Sequence, residues 1–314
     1  MPRIMKIANL LKIILAAFLY YTGISQLILS ILVRIKPTHL ILMYHRINSD
    51  NNGIFEGVNI AIFKEQIKLL KKYFMMTTLS EFIYSNVNSR NSYAIITFDD
   101  GYKDVYSRVF PVLKEHSVPA TVFLATGAVD NNDVIWTDKL NLIKSIDESM
   151  RINIKNRLKR LTNTAKDKEL VSLLLKYKVD LSSIPESEKM LSWEEVLSMA
   201  GEGIDFGAHT VNHSILSKVN KEEARKEIVD SKRRIEFIID RPIATFCYPN
   251  GQPEDFDEST KQILKQSGFK CAVTAIEGKV KKGDDYFSLR RISLANRPPS
   301  LVVLKLIKEM LKDA

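Results

Sequence analysis

The sequence predicts an α/β protein, a parallel (β/α)7-type barrel, and three observations predict it. Seven short runs are almost continuously apolar, as strands buried on both faces are. Amphipathic stretches with helical spacing alternate with them, the pattern of parallel strands joined by crossover helices. Polar groups fall just past several of the runs: His45, Asp99-Asp100, His209 and Tyr248-Pro249-Asn250-Gly251. In parallel barrels chemistry collects at those carboxyl ends. A chain of 314 residues, 45% hydrophobic and 26% charged, has ordinary globular composition and is long enough for one large domain or two smaller ones.

The first element is an N-terminal hydrophobic helix. Ile13–Val33 carries no charge, and its length suits a helix that crosses a bilayer core. It is long for a signal peptide and ends in no clear cleavage site, so residues 1–36 read as a retained membrane anchor. An interfacial helix is the second reading, because Tyr20-Tyr21-Thr22-Gly23 and Gln26 weaken the middle. A buried helix of a soluble domain is the third. Lys6 and Lys12 precede the run, and Arg34 and Lys36 follow it, so charge bias sets no orientation. The expected location is a membrane in the cell envelope.

Residues 37–314 read as the barrel. Its strands are His39–Tyr44, Tyr93–Phe98, Ala120–Ala125, Ile204–Ala208, Ile243–Tyr248, Cys271–Ala275 and Phe287–Leu294. Between them lie the helical patterns Ala61–Tyr73, Tyr102–His116, Trp193–Ala200, Lys221–Asp240 and Asp255–Ser267, with a last helix over Ser300–Leu311. In Lys221–Asp240, Ala224, Ile228, Ile235 and Ile238 form one apolar stripe. From about 131 to 189 the rhythm breaks into basic, helix-like sequence without a strand signal. This reads as an insertion on a barrel loop, whose Leu158, Leu161, Leu170, Val171, Leu173, Leu174 and Leu175 could pack a small helical hairpin. The net charge is +9, and residues 151–178 hold nine Lys/Arg against Asp167 and Glu169. That run is either a solvated helical face or a patch for anionic lipid headgroups or an acidic glycan. No nucleic-acid motif accompanies it. Cys247 and Cys271 sit in apolar runs and read as buried free thiols.

Two motifs carry chemistry. In Thr97-Phe98-Asp99-Asp100-Gly101 the Asp-Gly could be a plain turn, but two adjacent carboxylates repel unless a cation relieves them. In His209-Thr210-Val211-Asn212-His213 two imidazoles lie four residues apart; alone that spacing is weak. Together the motifs supply one oxygen and two nitrogen ligands for a divalent metal, plus a spare carboxylate as base. His45 is either a satisfied strand-end histidine or a group near the leaving atom. Tyr44, Trp136 and Trp193 read as core or loop anchors before sugar platforms, and Trp136 is the one to test for stacking on a glycan.

With these residues the chain resembles the polysaccharide deacetylases of carbohydrate esterase family 4, the NodB-homology domain. The resemblance runs from about Leu40 to Leu294, in family order. It implies a distorted, incomplete (β/α) barrel and metal-dependent hydrolytic removal of acetyl groups from a glycan, usually N-acetyl groups of aminosugars. It implies Asp99 as general base, Asp100, His209 and His213 as ligands of the metal, Zn²⁺ foremost, and the backbone N–H of Asn250 beside Tyr248 as an oxyanion contact. Cys247 stands where the family carries an arginine that buttresses the base. Arg291, in Leu289-Arg290-Arg291-Ile292, resembles a replacement. The family's general-acid histidine has no C-terminal match, and His45 is the substitute. The substrate is then an aminosugar-containing polysaccharide or a lipid-linked saccharide. The alternatives are an O-acetyl esterase acting on a glycan and a catalytically silent glycan-binding protein.

Overall fold

A computed structural model describes residues 2–48, 54–85 and 90–312, residues 2–9 by their backbone. Seven strands form on the predicted runs: β1 (His39–Tyr44), β2 (Tyr93–Phe98), β3 (Thr121–Leu124), β4 (Asp205–Ala208), β5 (Thr245–Cys247), β6 (Cys271–Glu277) and β7 (Leu289–Ser293). Each pairs parallel with the next, and β7 pairs with β1, so the sheet closes into a barrel.

The closure is uneven, which is the distortion. β1 and β2 run in register from His39 opposite Tyr93 to Tyr44 opposite Phe98, whereas β4 and β5 share only the pair Ala208 and Phe246. On its other edge β2 is divided: a short strand, Met75–Thr77, takes Tyr93 to Ile95, and β3 takes Thr97 and Phe98. The β6–β7 ladder shifts register between Leu289 and Arg291. Such a bulge re-aims side chains next to sites.

Side-chain alternation explains the continuous apolar runs. Ile41, Ile95, Phe123, Cys247, Cys271, Val273 and Leu289 cluster inside the barrel. Leu42, Ile96, Leu124, Phe206 and Phe246 join the larger core under the helices. Both cysteines are free and buried. The helices Ile60–Tyr73, Trp193–Gly201, Lys221–Ile239 and Glu258–Gln266 start at the side-chain caps Asn59, Ser192, Asn220 and Asp257. The pattern over Tyr102–His116 forms no single α-helix. A π-turn spans Val105–Val109 and the α-helix Phe110–His116 follows, because Pro111 has no N–H to give to a continuous ladder.

Between β3 and β4 the chain forms the helices Trp136–Asn141, Glu148–Leu158 and Asn163–Lys176 around a small core of Trp136, Leu140, Ile143, Leu158, Leu170 and Leu174. Val171 and Leu175 do not join that core; both are exposed. Lys166 belongs to no solvated face: it is buried over the Trp136 ring and donates to Asn163 Oδ1 at 3.0 Å.

The N-terminal hydrophobic run is not one helix. Pro2–Tyr21 and Ile24–Ile35 meet at a bend of 74°, and among the described residues no single helix is long and apolar enough to cross a membrane. Gly23 takes the left-handed φ of 81°, and Thr22 Oγ1 bonds back to Phe18 O at 2.8 Å. Both features end the first helix. The two helices pack on Pro299–Leu311, burying Ser25, Leu29 and Leu32.

Candidate active site

The carboxyl ends of the strands bring together residues more than a hundred positions apart. Asp99 follows β2, and its N–H continues the ladder to Tyr44 O of β1. His209 follows β4 and its N–H donates to Leu124 O of β3. The backbone then turns sharply. Asp100 (φ 72°), Thr210 (φ 65°), His213 (φ 50°) and Asn250 (φ 61°) all occupy the left-handed region that side chains disfavour. Strain of this kind is held only where surrounding contacts over-determine it.

Several contacts do so here. Glu227, buried in the helix Lys221–Ile239, accepts from the N–H groups of Val211 and Asn212 at 2.9 and 2.8 Å. It also accepts from the side chains of Asn212 and Asn163 at 2.7 Å. Trp136 is 5% exposed and donates its Nε1–H to His213 O at 3.0 Å. It is therefore a support of the histidine loop rather than an exposed sugar platform.

Asp100 Oδ1 lies 3.3 Å from Nε2 of His209 and 3.3 Å from Nε2 of His213. His209 Nδ1 is bonded to Cys247 O at 2.7 Å, which fixes the ring. Asp100 Oδ1 and His209 Nε2 are buried without a hydrogen-bond partner. Buried polar atoms are rarely left so, and these face one another. Two donor sets converge within 4.8 Å: Asp100 with His209 and His213, and Asp99 with His209 and Cys247. The first fits a cation better, because Asp99 is already engaged by an arginine.

That arginine is Arg291, 1% exposed. Its Nη1 and Nη2 donate to the two Asp99 oxygens at 2.7 Å each, a bidentate pair. Nε donates to Thr274 O at 2.7 Å, a carbonyl within the β6–β7 register shift. Thr97 Oγ1 at 3.1 Å and Cys247 Sγ at 3.2 Å complete its shell. Burial pushes the Asp99 carboxyl up, but Arg291 outweighs it and holds the group below the usual carboxylate range. Burial also opposes charge on Asp100, and the two histidines reverse that. Burial drives His213 down to about 3, so its ring is neutral, the form that ligates metals. In His209 the bond to Cys247 O and the nearby Asp100 carboxylate outweigh burial and raise it.

The remaining predicted residues stand around this centre. His45 is half exposed, with Nε2 3.7 Å from Asp99 Oδ2. Asn250 lines the cleft, its side chain bonded to Asp255 and its backbone N–H given to no acceptor among the described residues. Tyr248 also lines the cleft but turns its hydroxyl away, donating to Phe287 O at 2.9 Å, with its ring stacked on Phe256. Its contribution is to hold the Asn250 turn.

The family's sequence profile, polysaccharide deacetylase, matches residues 86–272. The chain belongs to the polysaccharide deacetylase family. One relative spans most of this deacetylase-family chain and another a third or less. YxkH of Bacillus subtilis (strain 168), a polysaccharide deacetylase by name, is 23% identical over 83% of this chain and 73% of its own. The poly-beta-1,6-N-acetyl-D-glucosamine N-deacetylase of Staphylococcus aureus is 34% identical over 29% of this chain and 37% of that protein. The fold is shared with the Streptococcus pyogenes deacetylase PplD, solved with acetate: TM-score 0.62, 20% identity, 88% of this chain and 99% of that one. IcaB from Ammonifex degensii aligns with TM-score 0.60 and 17% identity over 88% of this chain and 98% of its own.

The sequence reading passed over Glu227, Arg46 and Asp138. Arg46 directly follows His45 and is 4% exposed. Its Nη2 meets Asp138 Oδ2 at 2.7 Å and its Nη1 meets Glu188 Oε2 at 3.4 Å. A charged residue closing an apolar strand run was the available signal.

Proposed function

We propose that this chain is a metal-dependent carbohydrate deacetylase that hydrolyses the N-acetyl amide of an aminosugar in a polysaccharide or a lipid-linked saccharide. One observation carries the reading: Asp100, His209 and His213 converge, with orphaned buried donor atoms, beside a carboxylate that Arg291 keeps ionised. Asp100, His209 and His213 would hold a divalent ion, Zn²⁺ foremost for one oxygen and two imidazole donors, and when bound it supplies Lewis acidity toward the acetyl carbonyl. Asp99 accepts the proton of the attacking water. The free N–H of Asn250 donates to the oxyanion that develops on the acetyl oxygen. His45, at the solvent side of Asp99, protonates the departing nitrogen.

The Staphylococcus aureus relative's name makes N-acetylglucosamine oligomers the first substrates to test. Acetate release from them is expected to fall about a thousandfold in Asp99→Asn, with metal retained. Turnover unchanged by that substitution removes the assignment. His45→Gln separates the amide reading from the ester one, since an amine needs its proton more than an alcohol does. A loss confined to N-acetyl substrates supports deacetylation of the amide. Equal, slight losses on both favour the O-acetyl esterase.

We further propose that the bent N-terminal pair rests in the surface of a bilayer in the cell envelope. Leu10, Ile14, Phe18, Leu27, Ile31 and Ile35 are exposed along it, and Lys12, Arg34 and Lys36 flank them. Full-length protein should float with anionic vesicles; failure to float removes the proposal.

A further inference from the structure

The cleft around the candidate centre holds about 680 Å³, and one wall is not barrel but insertion. The helix Glu148–Leu158 presents Arg151, Lys155 and, just past its end, Lys159 to the cleft. Their spacing of four places them on one helical face. The helix Trp136–Asn141 supplies Trp136 and Asp138 to the same wall.

These cations are not alike. Arg151 is committed: it donates to the carbonyls of Leu140, Ile143 and Ile146 at 2.8, 3.0 and 3.3 Å and stands 3.6 Å from Glu148. That is the capping of a neighbouring helix end. Lys155 and Lys159 are half-buried, and neither has a carboxylate within 4.0 Å among the described residues. Of the acids that line the cleft, Glu56 is exposed and Asp100 faces the two histidines, while Glu148 stands by Arg151. Asp99 is held by Arg291, and Asp138 by Arg46. Asp255, the acid that faces Lys159, accepts from the Asn250 side chain and from Gln252 N. Burial depresses Lys159. Asp255 and Glu254 oppose that, while Lys155 and Lys218 crowd it with like charge and depress it further. Like charges gathered at a half-buried site are costly unless an anion joins them.

We infer that Lys155 and Lys159 form a second subsite of the cleft that takes an anionic group, carboxylate or phosphate, carried by the glycan near the acetylated sugar. The inference rests on the deacetylase reading for what else occupies the cleft, and it narrows the substrate class to an acidic glycan. Lys155 and Lys159 line the same cleft as Tyr248 and Asn250, which puts the subsite in one cavity with the Asn250 turn. Steering adds to it: a cationic wall beside a low-dielectric cleft concentrates an anionic substrate and does so less at high salt.

The test is direct binding by calorimetry to the full chain at low and at high salt. Three probes of equal length are compared: a neutral N-acetylglucosamine oligomer, an oligomer alternating N-acetylhexosamine with hexuronate, and an N-acetylhexosamine oligomer with phosphodiester links. At low salt at least one charged probe should bind about tenfold or more tighter than the neutral one. Preference for the hexuronate assigns a carboxylate, and preference for the phosphodiester assigns a phosphate. In the double variant Lys155→Gln, Lys159→Gln the affinity ratio should collapse to near one, and in Lys155→Arg, Lys159→Arg it should persist. No preference in the unmodified protein, or a preference that survives the Gln variant, overturns the subsite. Acetate release from the neutral oligomer, measured on the same preparations, reports separately on the deacetylase reading. Absence of acetate release from that oligomer and from both charged probes would sink that reading without touching the charge preference.

Discussion

Two arginines are buried in the walls of one cleft, and they are partnered differently. Arg291 faces one carboxylate, Asp99, through two 2.7 Å bonds, and its other N–H groups go to neutral acceptors, Thr274 O, Thr97 Oγ1 and Cys247 Sγ. Arg46 faces three: Asp138 at 2.7 Å, Glu188 at 3.4 Å and Asp104 at 4.0 Å, with its guanidinium lying between the rings of Tyr102 and Phe55. The first arrangement is charge-balanced and holds Asp99 ionised. The second carries more acid than one cation can neutralise, and burial raises Asp104 to about 7 and Asp138 above its ordinary value. One pair therefore sets the charge of a single carboxylate, the proposed base. The other ties β1 to both ends of the insertion, through Asp138 near its start and Glu188 near its end. Equal burial holds one carboxylate ionised in one place and tethers a neighbouring segment in the other.

Breaking the balanced pair should cost most. Arg291→Met leaves Asp99 as an unpaired buried charge, and a loss of about 3–5 kcal/mol is expected by denaturant unfolding. Acetate release should fall with it, since a destabilised Asp99 anion takes up a proton. A melting curve unchanged by this substitution would show that the pair does not hold the barrel top together.

Arg46→Met should cost less, about 2–3 kcal/mol, because Asp104 and Asp138 can relieve themselves by binding protons. The damage should also be local. Amide exchange is expected to quicken over residues 136–158 while β2 and β4 keep their protection. Uniform quickening across barrel and insertion would contradict the tethering role.

The smallest effect sharpens the contrast through pH. Asp104 in the folded chain titrates near 7, well above the ~3.9 of an unfolded aspartate. The folded state thus binds the proton more tightly. The contribution of Asp104 to stability is full below pH ~4 and is lost as pH rises to about 7. Asp104→Asn should remove that slope and gain on the unmodified protein by on the order of 1 kcal/mol between pH 6 and pH 8. Parallel stability curves for the two proteins would place the proton elsewhere.

Much of the barrel was legible because each strand is buried on both faces, so its composition alone marks it. The centre was legible because Asp99, Asp100, His209 and Asn250 each terminate such a run. Arg291 was reached through the family resemblance of Leu289-Arg290-Arg291-Ile292, since Arg290 is an equal charge in the same run. Arg46 offered only its place at the end of an apolar run and Glu227 offered nothing, because their partners lie in the insertion and the histidine loop, and no local pattern states which loop folds onto which. Trp136 read as a core or loop anchor before a sugar platform, and its N–H, given to His213 O, makes it the anchor. The N-terminal run read as one helix because its apolar length is continuous, yet Gly23 in the left-handed region breaks it.

The central claim is that Asp100, His209 and His213 share one cation and that Asp99 stays outside its ligand set. Metal content per chain, measured by mass spectrometry after reconstitution, tests this most directly. The account predicts one divalent ion in the unmodified protein and in Asp99→Asn, and none in His209→Ala, His213→Ala. An ion lost with Asp99→Asn, or retained without both histidines, would contradict it.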